Sequence, residues 1–309
     1  MIYAVDLNPS LDRTLTVARL EPGTVNRAQA VRLDAGGKGL NVARALSAWG
    51  LPVRAFALLG GGTGATVLRL LEKDRVPCEA MQIEGETRSN ITLIDEEAGT
   101  YVKVNEPGPV VMLEELDALE DRIRSLIERG DLWTFSGRLP LGAPPDTYAR
   151  LIYLVQSRGA RALLDASDTP LVLGAAARPY LLKPNRAEAQ ELAGRAIEGE
   201  ADAVGLIREL WERGISAVAL TRGAQGALVG WEGAIVEAVP PEVEVAGPVG
   251  SGDALMAALA WAIVEGLPLQ EMARLAVAAG TATAQVEGSG IASLAQVQAM
   301  RPQVQVRAL

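Results

Sequence analysis

Pro248-Val249-Gly250-Ser251-Gly252-Asp253 runs straight into Ala254-Leu-Met-Ala-Ala-Leu-Ala-Trp-Ala-Ile-Val264, eleven apolar residues without a break. A glycine-flanked turn that opens an apolar helix aims unpaired backbone N–H groups, and the positive end of the helix dipole, at whatever lies in front of it. That is a ready anion site. Asp253 then puts a carboxylate in the first helical turn, close to any bound anion. The same residues also suit an ordinary helix start, with Ser251 or Asp253 as N-cap and the glycines making the bend. The rest of the chain decides between the two.

Composition narrows the chemistry before any motif does. The chain has 309 residues, 49% of them hydrophobic, enough for one large domain with a substantial core. With 29 basic and 38 acidic residues the net charge is −9, a poor match to non-specific nucleic-acid binding or to an anionic membrane. An anionic ligand must therefore be held by a local cluster of cations and N–H donors. Histidine is absent, which excludes Ser-His-Asp and Cys-His mechanisms and the common zinc sites. Cys78 is the single cysteine, so no intrachain disulfide forms, as suits the cytoplasm, and it reads as a small buried hydrophobe. Met1–Asn8 lacks the basic start of a secretory signal, and no apolar run approaches the length of a membrane span.

Working outward along the chain, strands alternate with helices of ten or more residues from about residue 112 onward, the pattern of a parallel sheet covered on both faces. Two excursions, about 11–33 and 78–106, read instead as hairpins with Glu21-Pro-Gly-Thr24 and Glu96-Glu-Ala-Gly99 as turns. The expected architecture is α/β: one main domain over 1–309 carrying a small, discontinuous antiparallel lid.

Several segments offer chemistry at strand-to-helix turns. Gly36-Gly37-Lys38-Gly39-Leu40-Asn41 lets backbone approach a ligand and supplies donors, but is no P-loop, because Lys38 is not followed by Ser or Thr. Gly60-x-Gly62-x-x-Ala65 formally matches a dinucleotide fingerprint, with Glu79 or Glu84 as the acidic partner. The hairpin character of residues 78–106 argues against a dinucleotide site. Arg27, Arg88 and Lys103 put cations on the lid, as a flap closing over an anionic substrate requires. Asn185 and Glu188 can share a face at a helix start and hold the waters of a divalent ion, or simply form a capping box. Thr221-Arg-Gly223-Ala-Gln-Gly226 is a turn whose backbone can follow a phosphate chain.

Taken together, Asn8-Pro-Ser-Leu-Asp12, Val25-Asn-Arg27, Ala35-Gly-Gly-Lys-Gly-Leu-Asn41, Thr87-Arg88-x-Asn90, Ser136-Gly137, Lys183-Pro-Asn-x-x-Glu188 and Val249-Gly-Ser-Gly-Asp253 resemble the ribokinase-like PfkB carbohydrate kinases over essentially the whole chain. The first three segments are closest to the sugar-phosphate branch of that family. The resemblance implies a three-layer α/β/α sandwich with a mostly parallel sheet, a β lid, and ATP and Mg²⁺ as cofactors. It implies transfer of phosphate to a ketohexose monophosphate to give a bisphosphate. Fructose 1-phosphate is the first choice of acceptor; tagatose 6-phosphate and fructose 6-phosphate are the alternatives. Asp253 would be the general base, with the N–H groups of Gly250, Ser251 and Gly252 as anion hole. Asp12, Gly37, Lys38, Asn41, Arg27, Arg88, Asn90 and Lys103 would hold the sugar phosphate. Lys183, Asn185 and Glu188 would serve the nucleotide phosphates and Mg²⁺, the ion being held through water. Thr221, Gly223 and Gly226 would lie along ATP, and Ala278, Gly280 and Ala284 would leave room for its base. A homodimer through the lid is also implied.

Two residues depart from the family pattern. Arg138 stands where a serine is usual, an extra guanidinium that either reaches the cleft or points to solvent, and Ala254 replaces a hydroxyl residue after the expected base. A non-catalytic sugar-phosphate sensor is the alternative of a different class, and a nicotinamide-dependent enzyme rests on Gly60–Ala65 alone.

Overall fold

The first strand, β1 (Ile2–Asp6), is buried along its whole length. Ile2 and Ala4 face one hydrophobic cluster, while Tyr3 and Val5 face another on the opposite side. Side chains alternate across a strand, so a strand with no polar face demands cover on both sides. The computed structural model that shows this describes every residue except Pro248 and Ser289.

The elements after β1 are β2 (Ser10–Val17), β3 (Ala30–Gly36), α1 (Lys38–Ala48), β4 (Val53–Leu59), α2 (Gly61–Lys73), β5 (Cys78–Gln82), β6 (Arg88–Asp95) and β7 (Thr100–Asn105). Then come α3 (Leu113–Leu126), β8 (Leu132–Ser136), α4 (Thr147–Gln156), β9 (Arg161–Asp165), α5 (Asp168–Ala176), β10 (Leu181–Leu182), α6 (Arg186–Ala193) and α7 (Glu200–Glu212). The chain finishes with β11 (Ala217–Thr221), β12 (Ala227–Trp231), β13 (Ala234–Val239), α8 (Ser251–Glu265), α9 (Leu269–Ala284), α10 (Leu294–Met300) and β14 (Gln305–Ala308).

The central sheet runs β14-β13-β12-β11-β10-β9-β8-β1-β4-β5. From β5 to β11 neighbouring strands are parallel, and β12, β13 and β14 close that end antiparallel. Helices α1, α2, α8, α9 and α10 supply the core on one face, and α3, α4, α6 and α7 on the other. This is a mostly parallel α/β/α sandwich. The chain steps from β1 to β4 on one side and returns to β8 on the other, so order reverses at β1. In such sheets the crevice beyond the carboxyl ends at that reversal is where ligands bind.

A second sheet has the order β3-β2-β6-β7. Its outer pairings are antiparallel, whereas β2 and β6 at its centre run parallel. Residues 78–82, which by sequence belong to the lid excursion, instead form β5 on the edge of the central sheet, parallel to β4. Polar Glu79 and Gln82 make this segment look solvent-exposed. An edge strand is half-exposed for the same reason that a hairpin is, and composition does not separate them. Likewise β3 runs on to Gly36, past the expected boundary. Elements α5, β13, α10 and β14 are not expected from the sequence pattern: α5 carries Pro170 and Gly174, which mask its helical period.

Among the described residues no helix is long and apolar enough to cross a membrane. Helix α8 is buried along most of its length, lying between α1, α9 and the sheet. Leu259, fully buried in it, should lose about 2–5 kcal/mol of stability on Leu259→Ala. Tyr153→Ala, at a side chain 74% exposed on α4, should stay within about 0.5 kcal/mol. Urea unfolding of the two variants compares them directly, and equal losses would contradict this core.

Candidate active site

Strands β1, β8, β9 and β10 end side by side, and each delivers a polar group into the crevice. Asp165, the last residue of β9, is buried and lies between two ammonium groups. Lys38 Nζ, from the start of α1, is 2.9 Å from its Oδ1, and Lys183 Nζ, just beyond β10, is 3.0 Å from its Oδ2. Burial alone would raise the Asp165 pKa, but the two lysines outweigh it and hold the carboxyl below its usual value. The same contact raises the pKa of Lys38, chiefly through the Asp165 charge.

Asp253 sits in the first turn of α8 and is buried. Its Oδ2 accepts a 2.8 Å hydrogen bond from Asn41 Nδ2 on α1. Desolvation, then repulsion from Asp165, pushes its pKa up to about 6. A carboxylate so placed is basic enough to take a proton near neutrality yet ionised there. Gly252 lies next to Lys183: a Cβ at Gly252 would stand 3.8 Å from the lysine Nζ.

Three glycine-led helices start at this edge, and their N-termini differ. At α1, Asp6 Oδ2 accepts from Gly39 N at 2.9 Å and Leu40 N at 3.2 Å. At α2, Glu86 Oε1 accepts from Thr63 N at 2.6 Å. A Cβ on Gly61 would fall 1.8 Å from Glu86 Oε2, so that glycine admits the chain's own carboxylate. At α8, the N-cap Gly250 adopts φ +84° and no side chain caps the helix. The Ser251 hydroxyl is buried without a partner. Of the three, α8 alone keeps first-turn N–H groups clear of an internal carboxylate, so its N-terminus is the open anion site.

The dinucleotide reading of Gly60–Ala65 fails on this ground. The β4-α2-β5 unit is a parallel βαβ after all, contrary to the hairpin expected there, but Glu86 fills the position of a pyrophosphate. Glu79 is engaged by Arg54 and Arg122.

On the other side of α8 lies a cavity of about 580 Å³ with a mainly apolar lining that includes Thr221, Gly223, Gly226, Leu255, Val277, Gly280 and Ala284. It adjoins Ser251 and Gly252, so a ligand seated in it can reach the α8 N-terminus. A Cβ at Gly280 would meet Ser251 O at 3.1 Å, so glycine there lets α9 lie close to α8. Ala278 does not line this cavity; it is fully buried in the core. Helical spacing explains the correction: Val277, Gly280, Thr281 and Ala284 recur at three and four residues on one face, and Ala278 points elsewhere.

The turn after β11 is also braced from outside. Arg222 pairs with buried Glu237 of β13, and Glu237 in turn binds Arg307 of β14. Asn185 and Glu188 form the capping box: Asn185 Oδ1 accepts from Glu188 N at 3.0 Å, and Glu188 Oε2 accepts from Asn185 N at 2.8 Å. Glu188 is also buried, and burial raises its pKa.

On the side of the second sheet, Asn90 Nδ2 donates to Ser10 Oγ and to Asp12 Oδ1, both at 2.9 Å, which ties β6 to β2 at the base of that sheet. Arg88 is turned inward, donating to the carbonyls of Asn8, Pro9 and Glu106. Arg27 and Lys103 lie exposed on the second sheet and its loop. Arg138, 74% exposed, is 3.8 Å from Asp168 at the rim. Gly37, with φ +115°, packs against Asp6 and Pro9. So Lys38, Asn41, Lys183 and Asp253 converge tightly, Asp12 and Asn90 adjoin them, and Arg27, Lys103 and Arg138 stand apart. Cys78 is partly buried with its thiol pushed up to about 12 by burial, which leaves it inert.

The chain matches the model of the pfkB family of carbohydrate kinases over residues 5–296. It is 37% identical to the 1-phosphofructokinase of Xanthomonas campestris across 89% of its own length and 88% of that protein. It is 33% identical to the 1-phosphofructokinase of Bacillus subtilis across the full length of both. Among solved structures, phosphofructokinase-2 from Escherichia coli, crystallised with substrates and products, superposes with a TM-score of 0.93 at 31% identity, covering 97% of this chain and 98% of that one.

The chain belongs to the pfkB family of carbohydrate kinases. As a pfkB kinase it is a phosphotransferase that acts on a sugar hydroxyl with ATP as the second substrate, which rules out the non-catalytic sensor. Its ribokinase-like sandwich is the fold of those relatives.

Two residues of this crevice, Asp6 and Asp165, are not picked out by any sequence motif. Both are the last residues of buried strands, at the carboxyl edge where ligands gather, and that position is the available signal.

Asp253 should also show itself in stability. Its folded pKa of about 6 exceeds the ordinary aspartate value of 3.8, so the folded state disfavours the ionised form. That penalty is absent below pH ~4, grows between ~4 and ~6 and is complete above ~6. Asp253→Asn should therefore be more stable than the parent at pH 8, by up to about 3 kcal/mol less the worth of the altered Asn41 contact, with the difference shrinking toward pH 4. Urea unfolding at the two pH values reads it; a pH-independent difference would contradict the shift.

Proposed function

We propose that this kinase transfers the terminal phosphoryl group of ATP to a hydroxyl of a ketohexose monophosphate, with fructose 1-phosphate as the acceptor and fructose 1,6-bisphosphate as the product. The observation that carries the chemistry is Asp253 held by Asn41 beside the uncapped N-terminus of α8. The curated relatives named 1-phosphofructokinase support the choice of acceptor.

In this reading the acceptor hydroxyl lies against Asp253, which removes its proton as the new O–P bond forms. The N–H groups of Gly250, Ser251 and Gly252 stabilise the charge that develops on the transferred group, where no side chain competes for them. Lys183 stands at the same point and offsets charge on the nucleotide phosphates, while Lys38 faces the acceptor. The apolar cavity beside α8 takes the base and ribose, with Thr221, Gly223 and Gly226 along the phosphate chain. Asp12, Asn41 and Asn90 hold sugar hydroxyls. Arg27, Lys103 and Arg138 are the exposed cations available to meet the sugar's own phosphate as the second sheet closes over it as a lid, and Arg88 would join them only by exchanging its bonds to the carbonyls of Asn8, Pro9 and Glu106.

Asn185 and Glu188 fit a Mg²⁺ ion held through water. Mg²⁺ keeps several waters and needs only one or two protein carboxylates besides phosphate oxygens. The capping box occupies Oε2 of Glu188 with a backbone donor, which favours contact through water over direct ligation. When bound, the ion would neutralise phosphate charge. Among the described residues no cluster of three or more acidic or cysteine side chains offers a self-sufficient metal site.

A second reading, fructose 6-phosphate as acceptor, is favoured by the structural likeness to the Escherichia coli phosphofructokinase-2 crystallised with fructose-6-phosphate, with a TM-score of 0.91 at 30% identity. Tagatose 6-phosphate is the remaining alternative. ADP release measured with each of the three sugar phosphates decides among them, with the highest kcat/KM expected for fructose 1-phosphate. Asp253→Asn should bind both substrates and lose about 10²–10⁴-fold in turnover. Near-normal turnover in that variant would sink the general-base assignment. The parent's kcat/KM for sugar should fall below pH ~6 as Asp253 is protonated.

Association through the second sheet is part of the proposal. Val31, Leu33, Tyr101, Val102 and Val104 are exposed there, and β7 is an unpaired edge. A homodimer in sedimentation velocity, converted to monomer by Tyr101→Lys with Val104→Lys, is the expected result; an unchanged distribution places the interface elsewhere.

A further inference from the structure

Asp6 is a buried carboxylate that the proposed phosphoryl transfer does not use. Its Oδ2 accepts from Gly39 N and Leu40 N, and its Oδ1 accepts from Asn8 N at 3.1 Å. The surrounding glycines are shaped to it. A Cβ on Gly37 would lie 2.2 Å from Asp6 Oδ2, and one on Gly39 would lie 2.8 Å from the Asp6 Cβ. The turn after β8 also passes close, with the Cβ position of Gly137 3.9 Å from Asp6 Oδ1. The glycine-rich turn therefore closes on a carboxylate of its own chain.

We infer that Asp6 is a positioning residue for the acceptor site: it occupies the N-terminus of α1 as an internal anion and so fixes Lys38 and Asn41, the two α1 side chains that reach Asp165 and Asp253. A carboxylate there satisfies two first-turn donors and complements the helix dipole, which holds the first turn of α1 against the end of β1. Lys38 is the first residue of that turn and Asn41 the fourth, so a shift of the turn displaces both contacts together. The amides of Gly39 and Leu40 are then unavailable to substrate, and the sugar's phosphate is met by side chains. Glu86 plays the same part at α2, which shows the device twice at one sheet edge.

The inference rests on the reading of Lys38 and Asn41 as acceptor contacts, and the test keeps the two separable. Steady-state kinetics with fructose 1-phosphate and ATP would be measured for Asp6→Asn, Asp6→Ala and, as control, Lys38→Met. Asp6→Asn puts a donor where a carboxylate oxygen faced N–H groups. It should raise KM for the sugar phosphate tenfold or more and leave KM for ATP within about twofold. Asp6→Ala should show the same split, and sodium formate should lower its KM toward the parent value by entering the emptied cradle, whereas sodium chloride at equal ionic strength should not. Equal rises in both KM values, or unchanged KM for the sugar phosphate, overturn the positioning role. Absence of formate rescue in folded Asp6→Ala also overturns it. Should Asp6→Ala fail to fold, the split in Asp6→Asn decides alone. If Lys38→Met leaves KM for the sugar phosphate unchanged, the acceptor-site reading fails, whatever the Asp6 variants do.

Discussion

One buried carboxylate, Asp165, is bound by two lysines that arrive from opposite halves of the crevice. Lys38 comes from α1 and Lys183 from the end of β10, and without Asp165 their ammonium groups would face each other in a poorly solvated space. Breaking a buried pair strands a charge, which is far more damaging than never having built the pair. Asp165 therefore lets two cations stand close together at the carboxyl edge of the sheet. It has a second effect at the same time. Its charge works with burial to raise the pKa of Asp253, so the group that organises the cations also makes that carboxylate more basic.

The glycines of the site have three different physical causes, although sequence presents them alike. Gly250 is a left-handed N-cap that leaves the α8 N–H groups open. Gly37 and Gly39 leave space for Asp6, and Gly61 leaves space for Glu86. Gly280 lets two helices approach. Only the first leaves helix donors without a side-chain cap. Glycine-rich turns at a sheet edge thus announce close approach without saying what approaches, and the deciding fact is which carboxylate the fold places in front of each helix.

The parallel sandwich is legible in the sequence because alternating strands and helices leave a periodic record, and buried strands such as Ile2–Asp6 are apolar until their last residue. Lys38, Asn41, Lys183 and Asp253 are legible as motifs, each with local turn chemistry. What stays hidden depends on register across the sheet. Cys78–Gln82 reads as a hairpin strand until its parallel pairing with β4 is known. Asp165 looks like the polar end of any strand until β8, β9 and β10 are seen to end together. Ala278 and Val277 differ by one residue, and only the packing of α9 on α8 tells which of them faces the cavity.

The second sheet is tied to the crevice through its root. Strand β2 begins at Ser10, four residues after β1 ends at Asp6, so the central and second sheets share a short stiff connection. The Ser10–Asp12–Asn90 hydrogen bonds lock β2 and β6 in register there, with Asp12 opposite Asn90. Arg88 binds the carbonyls of Asn8 and Pro9 within that same connection. Asp12 and Asn90 therefore sit at the root of the second sheet, Lys103 lies two residues further along opposite Thr92, and Arg27 lies at the far end in the loop between β2 and β3. Arg27 and Lys103 are both exposed, whereas Asp12 and Asn90 are buried, so the root of the second sheet is held by burial as well as by hydrogen bonds.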